Sequence, residues 1–441
     1  MKLYPHQIEA LDLIKDKNKC AIYYDMGLGK TFIGSEKMAS LKAKANLVVC
    51  QKSKIDDWVK HFETYYPDCF VLNLSKPRDM GAFLSICLDD EMMAGCQNSQ
   101  IIGIINYDLI WRRSDLLGLR NFTLMLDESS LITNLTARRS SFILKFNPTN
   151  VILLSGTPTS GKYEKLWSQL SLLGWDIPED RYFKSYVDYE WVDRGDGHWD
   201  KKINGYKNVD HLKGKLAKFG AIFKKTEEVI NLPEQIEQII YIDPSKEYKR
   251  FKKNHYLQID DKELIGDTSL TRILYERELC GQYSQSKLEA FRDLVESTED
   301  RLVVFYNFND ELDKLEEICR TCEKPFSVIN GKGKDFYAYE EYNNSVTFVQ
   351  YQAGAYGLNL QKANKVIYFS LPLGLGSCDL WEQSKKRIHR IGQDKTCFYY
   401  YLLVKDSIEI WNIELLKKGK ELTDELFEKS IDYDLNTNIY E

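Results

Sequence analysis

Apolar, β-branched runs recur through the first part of this chain, "CAIYY", "NLVVC", "QIIGII", "FTLMLDE" and "NVILLSG", with text of helical composition between them. A parallel sheet with helices on both faces satisfies that alternation, and such a sheet binds ligands at the carboxyl ends of its strands. A second series begins near residue 301: "RLVVFYN", "PFSVIN", "SVTFVQY", "KVIYFS" and "CFYYYLL". The expected fold class is therefore α/β, two parallel-sheet lobes with helical inserts between them. The first lobe is expected over 1–232, including an aromatic and basic insert at about 167–231 with a hairpin around Gly195–Gly197. The Arg-Gly-Asp triplet there reads as a hairpin turn. A linker near Pro233 and charged helical text fill 233–284, and the second lobe occupies 285–441.

At 441 residues there is room for two cores of ordinary size, and 43% hydrophobic residues is the share of a folded globular chain. A net charge of −6 excludes a global basic field, so any nucleic-acid contact must come from a local groove. Ten cysteines are scattered singly apart from Cys319 and Cys322, and no second pair completes a zinc site. They read as reduced thiols. The opening "MKLYPHQIEA" is too polar for a signal peptide, and no apolar run is long enough to span a bilayer. A cytoplasmic location with no membrane partner is expected.

The chemistry is concentrated in a few blocks. In "YYDMGLGKTFIG", Gly27 and Gly29 free a loop to wrap its N–H groups around phosphate oxygens, at the start of a helix whose dipole favours anions. Lys30 is placed to reach the β and γ phosphates, and the Thr31 hydroxyl to take a magnesium position. The first glycine of the common P-loop pattern is replaced by Tyr24, and a plain glycine turn beside a lysine is the alternative. "FTLMLDESS" ends a strand in Asp127, suited to orienting a metal, and Glu128, suited to positioning a water. "VILLSGTPTSGK" sets Ser155, Gly156 and Thr157 after another strand, either as a coupling element or as a turn closed by Pro158. In "LWEQSKKRIHRIGQDK", a helix would put Gln383, Arg387 and Arg390 on one face, and such arginines can neutralise charge on a γ phosphate. "QYQAGAYGLNLQ" offers Gln352, Gly354, Gly357 and Asn359 to a phosphate backbone or to nucleotide sensing, and "LYPHQIEAL" sets Gln7 beside an aromatic, where an amide can read adenine.

Together, and in this order, these blocks resemble the helicase-like motors of superfamily two, and most closely the Swi/Snf family of double-stranded DNA translocases. "YPHQ" resembles the adenine-reading motif, "DMGLGKT" the family's P-loop, which also lacks the first glycine, "DESS" its acid box and "LSGTPTS" its third motif. "LVVFYNFNDELDKLEE", "AGAYGLNL" and "QSKKRIHRIGQ" resemble the fourth to sixth motifs, and "SIEIWNIELLKKGKEL" the closing brace. The resemblance implies two RecA-like lobes. ATP and Mg2+ would be held by Gln7, Gly27, Gly29, Lys30, Thr31, Gly357 and Asp127, with Glu128 as the residue serving water and Arg387 and Arg390 as fingers. It further implies that Lys52, Asn106, Tyr107, Thr157, Gln352 and Asn359 track DNA. The chain departs from the family where the acid box ends in two serines in place of its usual histidine, and where Gln350, Gln352 and Ala355 stand in the fifth motif.

The expected activity is ATP-driven movement on double-stranded DNA in replication, recombination or repair. A helicase that separates forked or single-stranded DNA or RNA, and a non-catalytic scaffold or loader, are the alternatives. No text is left over for a chromodomain, bromodomain or zinc module, so a stand-alone motor is expected, monomeric and of bacterial or phage type. A single-strand-binding or replication protein is its expected partner. The acidic close "ELTDELFEKSIDYDLNTNIYE" reads as a frayed helix.

Overall fold

The computed structural model describes residues 2–89, 100–159, 161–193, 199–259, 262–351, 358–374 and 376–427. The chain divides into two compact units, Met1–Val229 with Glu421–Glu441, and Ile230–Lys420.

The first unit is built on a seven-stranded sheet. Its strands are β1 (Lys19–Tyr24), β2 (Ala45–Cys50), β3 (Phe70–Asn73), β4 (Ile101–Asn106), β5 (Phe122–Asp127), β6 (Asn150–Leu154) and, after a two-stranded ribbon of β7 (Val187–Asp193) and β8 (Trp199–Tyr206), β9 (Ala221–Lys224). The order is β3-β4-β2-β5-β6-β1-β9, and every pairing is parallel. Central strands such as β2 and β4 are buried at every residue, which is why they read as unbroken apolar runs. Helix α1 (Pro5–Ile14) starts with proline at a position whose missing N–H costs nothing. Helix α2 (Lys30–Ser40) lies so close to the sheet that a Cβ on Gly34 would sit 3.0 Å from Leu154 and 3.1 Å from Met125. Helix α3 (Ile55–Tyr65) buries Ile55, Trp58 and Phe62, the spacing of one helical face.

The second unit carries a seven-stranded sheet of β10 (Gln235–Ile242), β13 (Leu302–Tyr306), β14 (Phe326–Asn330), β15 (Gly333–Lys334), β16 (Val346–Gln350), β17 (Lys365–Tyr368) and β18 (Cys397–Val404); β11 (Tyr256–Ile259) and β12 (Lys262–Ile265) form a separate ribbon. The order is β10-β18-β17-β13-β16-β14-β15, and only β14 and β15 pair antiparallel within it. Both faces are apolar: Phe305, Tyr368, Tyr399 and Tyr401 pack with Trp381 on one, Val304, Phe348 and Phe369 with Phe291 on the other.

Six strands were invisible to the pattern reading: β3, β9, β10, the two-residue β15, and the ribbon of β11 and β12, whose short strands lie in text read as charged and helical. β3 and β9 are four residues each, and β10 lies in text read as linker and helical insert. β10 is an edge strand with most side chains exposed, so "QIEQIIYI" lacks the apolar run of a central strand, yet it pairs with β18 over its full length. The strands of the expected hairpin are β7 and β8, while its turn, Gly195 to Gly197, lies outside the described residues. Among the described residues no helix is long and apolar enough to cross a membrane.

Candidate nucleotide site

β1 ends at Tyr24 and α2 begins at Lys30, so the glycine loop turns from strand to helix within a few residues. Gly27 and Gly29 hold φ of +87° and +72°, a region costly for residues with a Cβ. A Cβ on Gly29 would also run into Nε2 of Gln7. Gln7 is buried: its Oε1 accepts from the Tyr4 N–H (2.9 Å) and its Nε2 donates to the Gly29 carbonyl (3.4 Å). His6 Nε2 donates to Leu28 O (3.0 Å), so α1 grips the loop through adjacent side chains. On the other flank Thr226 donates from its N–H and its hydroxyl to Asp25 Oδ2, each at 3.0 Å. The Lys30 ammonium donates to the carbonyls of Tyr24 (2.7 Å) and Asp25 (3.2 Å). Thr31 lies in the first turn of α2, where its carbonyl accepts from Ser35.

Strand order sets the other groups beside that loop. β6 lies between β1 and β5, so Ser155–Thr157 follow the strand between the lysine loop and the acid pair. A Cβ on Gly156 would stand 3.5 Å from Lys30 Nζ. Asp127 closes β5, and its Oδ2 accepts from Trp58 Nε1 at 2.8 Å. Burial pushes the Asp127 carboxyl above the usual aspartate range, against the Trp58 hydrogen bond and the charge of Lys30. Glu128 holds φ +59° and ψ +62°, left-handed values that a side chain with a Cβ adopts at a cost. The Tyr107 hydroxyl donates to the carbonyls of Asp127 (3.0 Å) and Glu128 (3.4 Å), fixing the backbone there.

Gln169 joins these parts. Its Oε1 accepts from Tyr23 on β1 (2.9 Å) and from Ser129 beside the acid pair (2.6 Å), while Nε2 donates to Pro158 O (2.7 Å). The first half of the chain gave no hint of it beyond one amide inside the apolar text "LWSQLSLLGW". His6, Asp25, Trp58 and Thr226 were also missed, since each acts through a partner distant in sequence.

The residues expected to track DNA fall differently. Lys52 is exposed at the start of a short helical turn, Lys52–Lys54. Asn106, Tyr107 and Thr157 are buried. Gln352 and Gly357, with Gly354 and Ala355, lie outside the described residues.

In the second unit the arginine block is not one helix. The helix Ser377–Lys385 carries Gln383 but ends before Arg387 and Arg390, and Gly392 turns the chain with φ +94°. The helical-face reading of these three residues is corrected accordingly. Contacts to a neighbouring loop replace the helix: Arg387 Nη1 and Arg390 Nη1 each donate to Leu358 O at 3.3 Å, and Arg390 also meets Asn359 Oδ1. Gln393 Nε2 reaches the carbonyls of Gln361, Ala363 and Ile388, sewing 388–393 to 361–363. Tyrosines of the sheet hold the helix that leads in, Tyr368 through Ser384 (2.8 Å) and Tyr399 through the Lys385 carbonyl (3.1 Å).

A glycine–lysine loop and an acid pair on parallel strands separated by a third define a P-loop α/β protein. The SNF2-related domain matches residues 6–286 and the helicase conserved C-terminal domain residues 286–392. The chain belongs to the SNF2-related family of helicase-like ATPases. It is 24% identical over 432 residues to the mouse SWI/SNF-related matrix-associated actin-dependent regulator of chromatin subfamily A member 1, covering 87% of this chain and 39% of that one. To the Saccharomyces cerevisiae ISWI chromatin-remodeling complex ATPase ISW1 it is 25% identical, covering 92% of this chain. The chain thus spans 39% of the length of either relative. The solved Sulfolobus solfataricus SWI2/SNF2 ATPase core in complex with dsDNA aligns over 98% of both chains at 18% identity and a TM-score of 0.44.

Proposed function

We propose that this chain hydrolyses ATP to move along double-stranded DNA. The observation that carries the reading is the placement of Lys30, Ser155–Thr157 and the Asp127–Glu128 pair at the ends of three neighbouring parallel strands, β1, β6 and β5. Duplex DNA is the proposed track because the relatives are named for work on chromatin.

Lys30, the loop N–H groups and the α2 terminus bind the phosphates in this reading, and Gln7 acts by shaping the loop. Among the described residues no group of three or more His, Cys, Asp or Glu is gathered to hold a metal. Mg2+ arriving with nucleotide needs only one or two carboxylates besides phosphate and water oxygens. Asp127, with one oxygen tied to Trp58, and the Thr31 hydroxyl fit that donor set. Bound there, the ion would neutralise phosphate charge. Glu128 orients the attacking water and accepts its proton, from a left-handed backbone position directly after Asp127. For Arg387 and Arg390 the proposed role is to offset charge that develops on the transferred phosphate.

The test is steady-state ATP hydrolysis without nucleic acid and with duplex DNA, single-stranded DNA or RNA, with Glu128→Gln as control. Strong stimulation by duplex, abolished in Glu128→Gln with ATP still bound, is expected. Stimulation by single strands or RNA alone would replace this reading with the strand-separating one, and normal turnover in Glu128→Gln would remove the assignment of that residue.

A further inference from the structure

We propose that Arg112 and Arg138, ordered against Trp111, form a contact for the phosphate backbone of duplex DNA; the inference rests on the DNA-motor reading above. Trp111 caps the short helix Tyr107–Ile110 that follows β4, and Arg138 opens the helix Arg138–Ile143. The two guanidinium carbons each stand 4.9 Å from the centroid of the Trp111 ring. Trp111 is half-buried, while both arginines are exposed.

The neighbouring arginine shows what a structural role looks like here. Arg139 donates from Nε to Leu131 O (3.0 Å) and pairs with Asp108 (3.4 Å). Arg112 and Arg138 have no carboxylate within ion-pair distance among the described residues, and the Trp111 ring is the contact that orders them. Both sit on the surface of a chain whose net charge is −6, so attraction to a polyanion there is local rather than global. An indole face attracts a guanidinium through its ring quadrupole and leaves the N–H groups at the rim free, the geometry that meets phosphate oxygens in pairs. Holding the side chains beforehand reduces the entropy lost on binding.

The location also suits a motor. Tyr107, at the other end of the same short helix, holds the backbone of Asp127 and Glu128. Asn106 and Tyr107 are themselves buried, and the first exposed cation after them is Arg112. A backbone phosphate held at Arg112 would be one helical turn from the acid pair's support.

The experiment is fluorescence anisotropy of a labelled blunt duplex, and of single-stranded DNA and RNA of the same sequence, with the full chain over a series of salt concentrations. It compares wild type with Arg112→Ala/Arg138→Ala and Arg112→Lys/Arg138→Lys, and ATP turnover without DNA is measured in parallel. The alanine variant should bind roughly tenfold or more weakly, and its log K against log salt should be shallower by about 2, since each phosphate contact contributes about 0.9 to the slope. DNA-free turnover should be unchanged, and the lysine variant should recover the slope. An alanine variant with wild-type affinity and slope would overturn the contact while leaving the motor reading intact. A slope change seen with RNA or single strands but not with duplex would overturn the duplex assignment. A wild-type chain that binds no duplex would overturn both.

Discussion

Gln169 makes one amide serve three structural elements. A leucine there would leave the hydroxyls of Tyr23 and Ser129 and the carbonyl of Pro158 without their buried partner, at about 1–3 kcal/mol for each unsatisfied group. Gln169→Leu should therefore lower the thermal midpoint and reduce kcat more than it raises KM, because the groups it aligns lie behind the acid pair. Gln169→Glu keeps the shape, but ionised it cannot donate to Pro158 O and carries a charge into a fully buried site, so its kcat should also fall below wild type. Equal kcat in all three chains would show that Gln169 only packs. This residue illustrates why part of the site was not legible. Lys30, Asp127 and Glu128 announce themselves by local spacing, whereas Gln169 is identified by partners 146 and 40 residues away.

Among the elements, the packing of α2 on α3 contains a proton-sensitive contact. His61 sits among Phe32, Trp58, Phe62 and Tyr65, with Nε2 3.0 Å from Ser35 Oγ. Burial lowers its pKa from 6.5 to about 4. Between those values the unfolded chain holds a proton that the folded chain does not, so this contact loses stability as pH falls through the window and keeps it above about 6.5. The thermal midpoint of wild type should fall more steeply than that of His61→Gln between pH 6.5 and 4; parallel curves would mean that His61 is protonated in place. The central strands were readable because burial on both faces demands apolar residues throughout. β10 was not, since an edge strand needs only half of that pattern. The arginine block misled for a related reason: i, i+4, i+7 spacing satisfies a helix on paper, but the turn at Gly392 and the side-chain bonds of Gln393 take the chain into a loop.

At the scale of the molecule, the chain closes on the unit where it began. The last helix, Ile408–Phe427, starts in the second unit, and its described residues from Glu421 belong to the first. There the Leu422 carbonyl accepts from Tyr163 (2.7 Å), and Thr423 Oγ1 lies 3.2 Å from Thr159 Oγ1. Tyr163→Phe should cost the first unit about 1 kcal/mol. Deleting 421–441 should cost it more, because the packing of Leu422 goes as well. Calorimetry should show both losses in the transition of the first unit alone, and an unchanged trace for the deletion would mean that the closing turn adds nothing to it.

The double anchorage of the glycine loop, by His6 and Gln7 on one flank and by Thr226 on the other, bears on how binding divides between heat and disorder. A loop shaped during folding arrives at any ligand with little motion left to surrender, so in the proposed site the ordering cost of association is small. If the loop holds phosphates as proposed, loosening the helix at residues 5–14 should return freedom to the loop and weaken nucleotide binding through the His6 and Gln7 contacts alone.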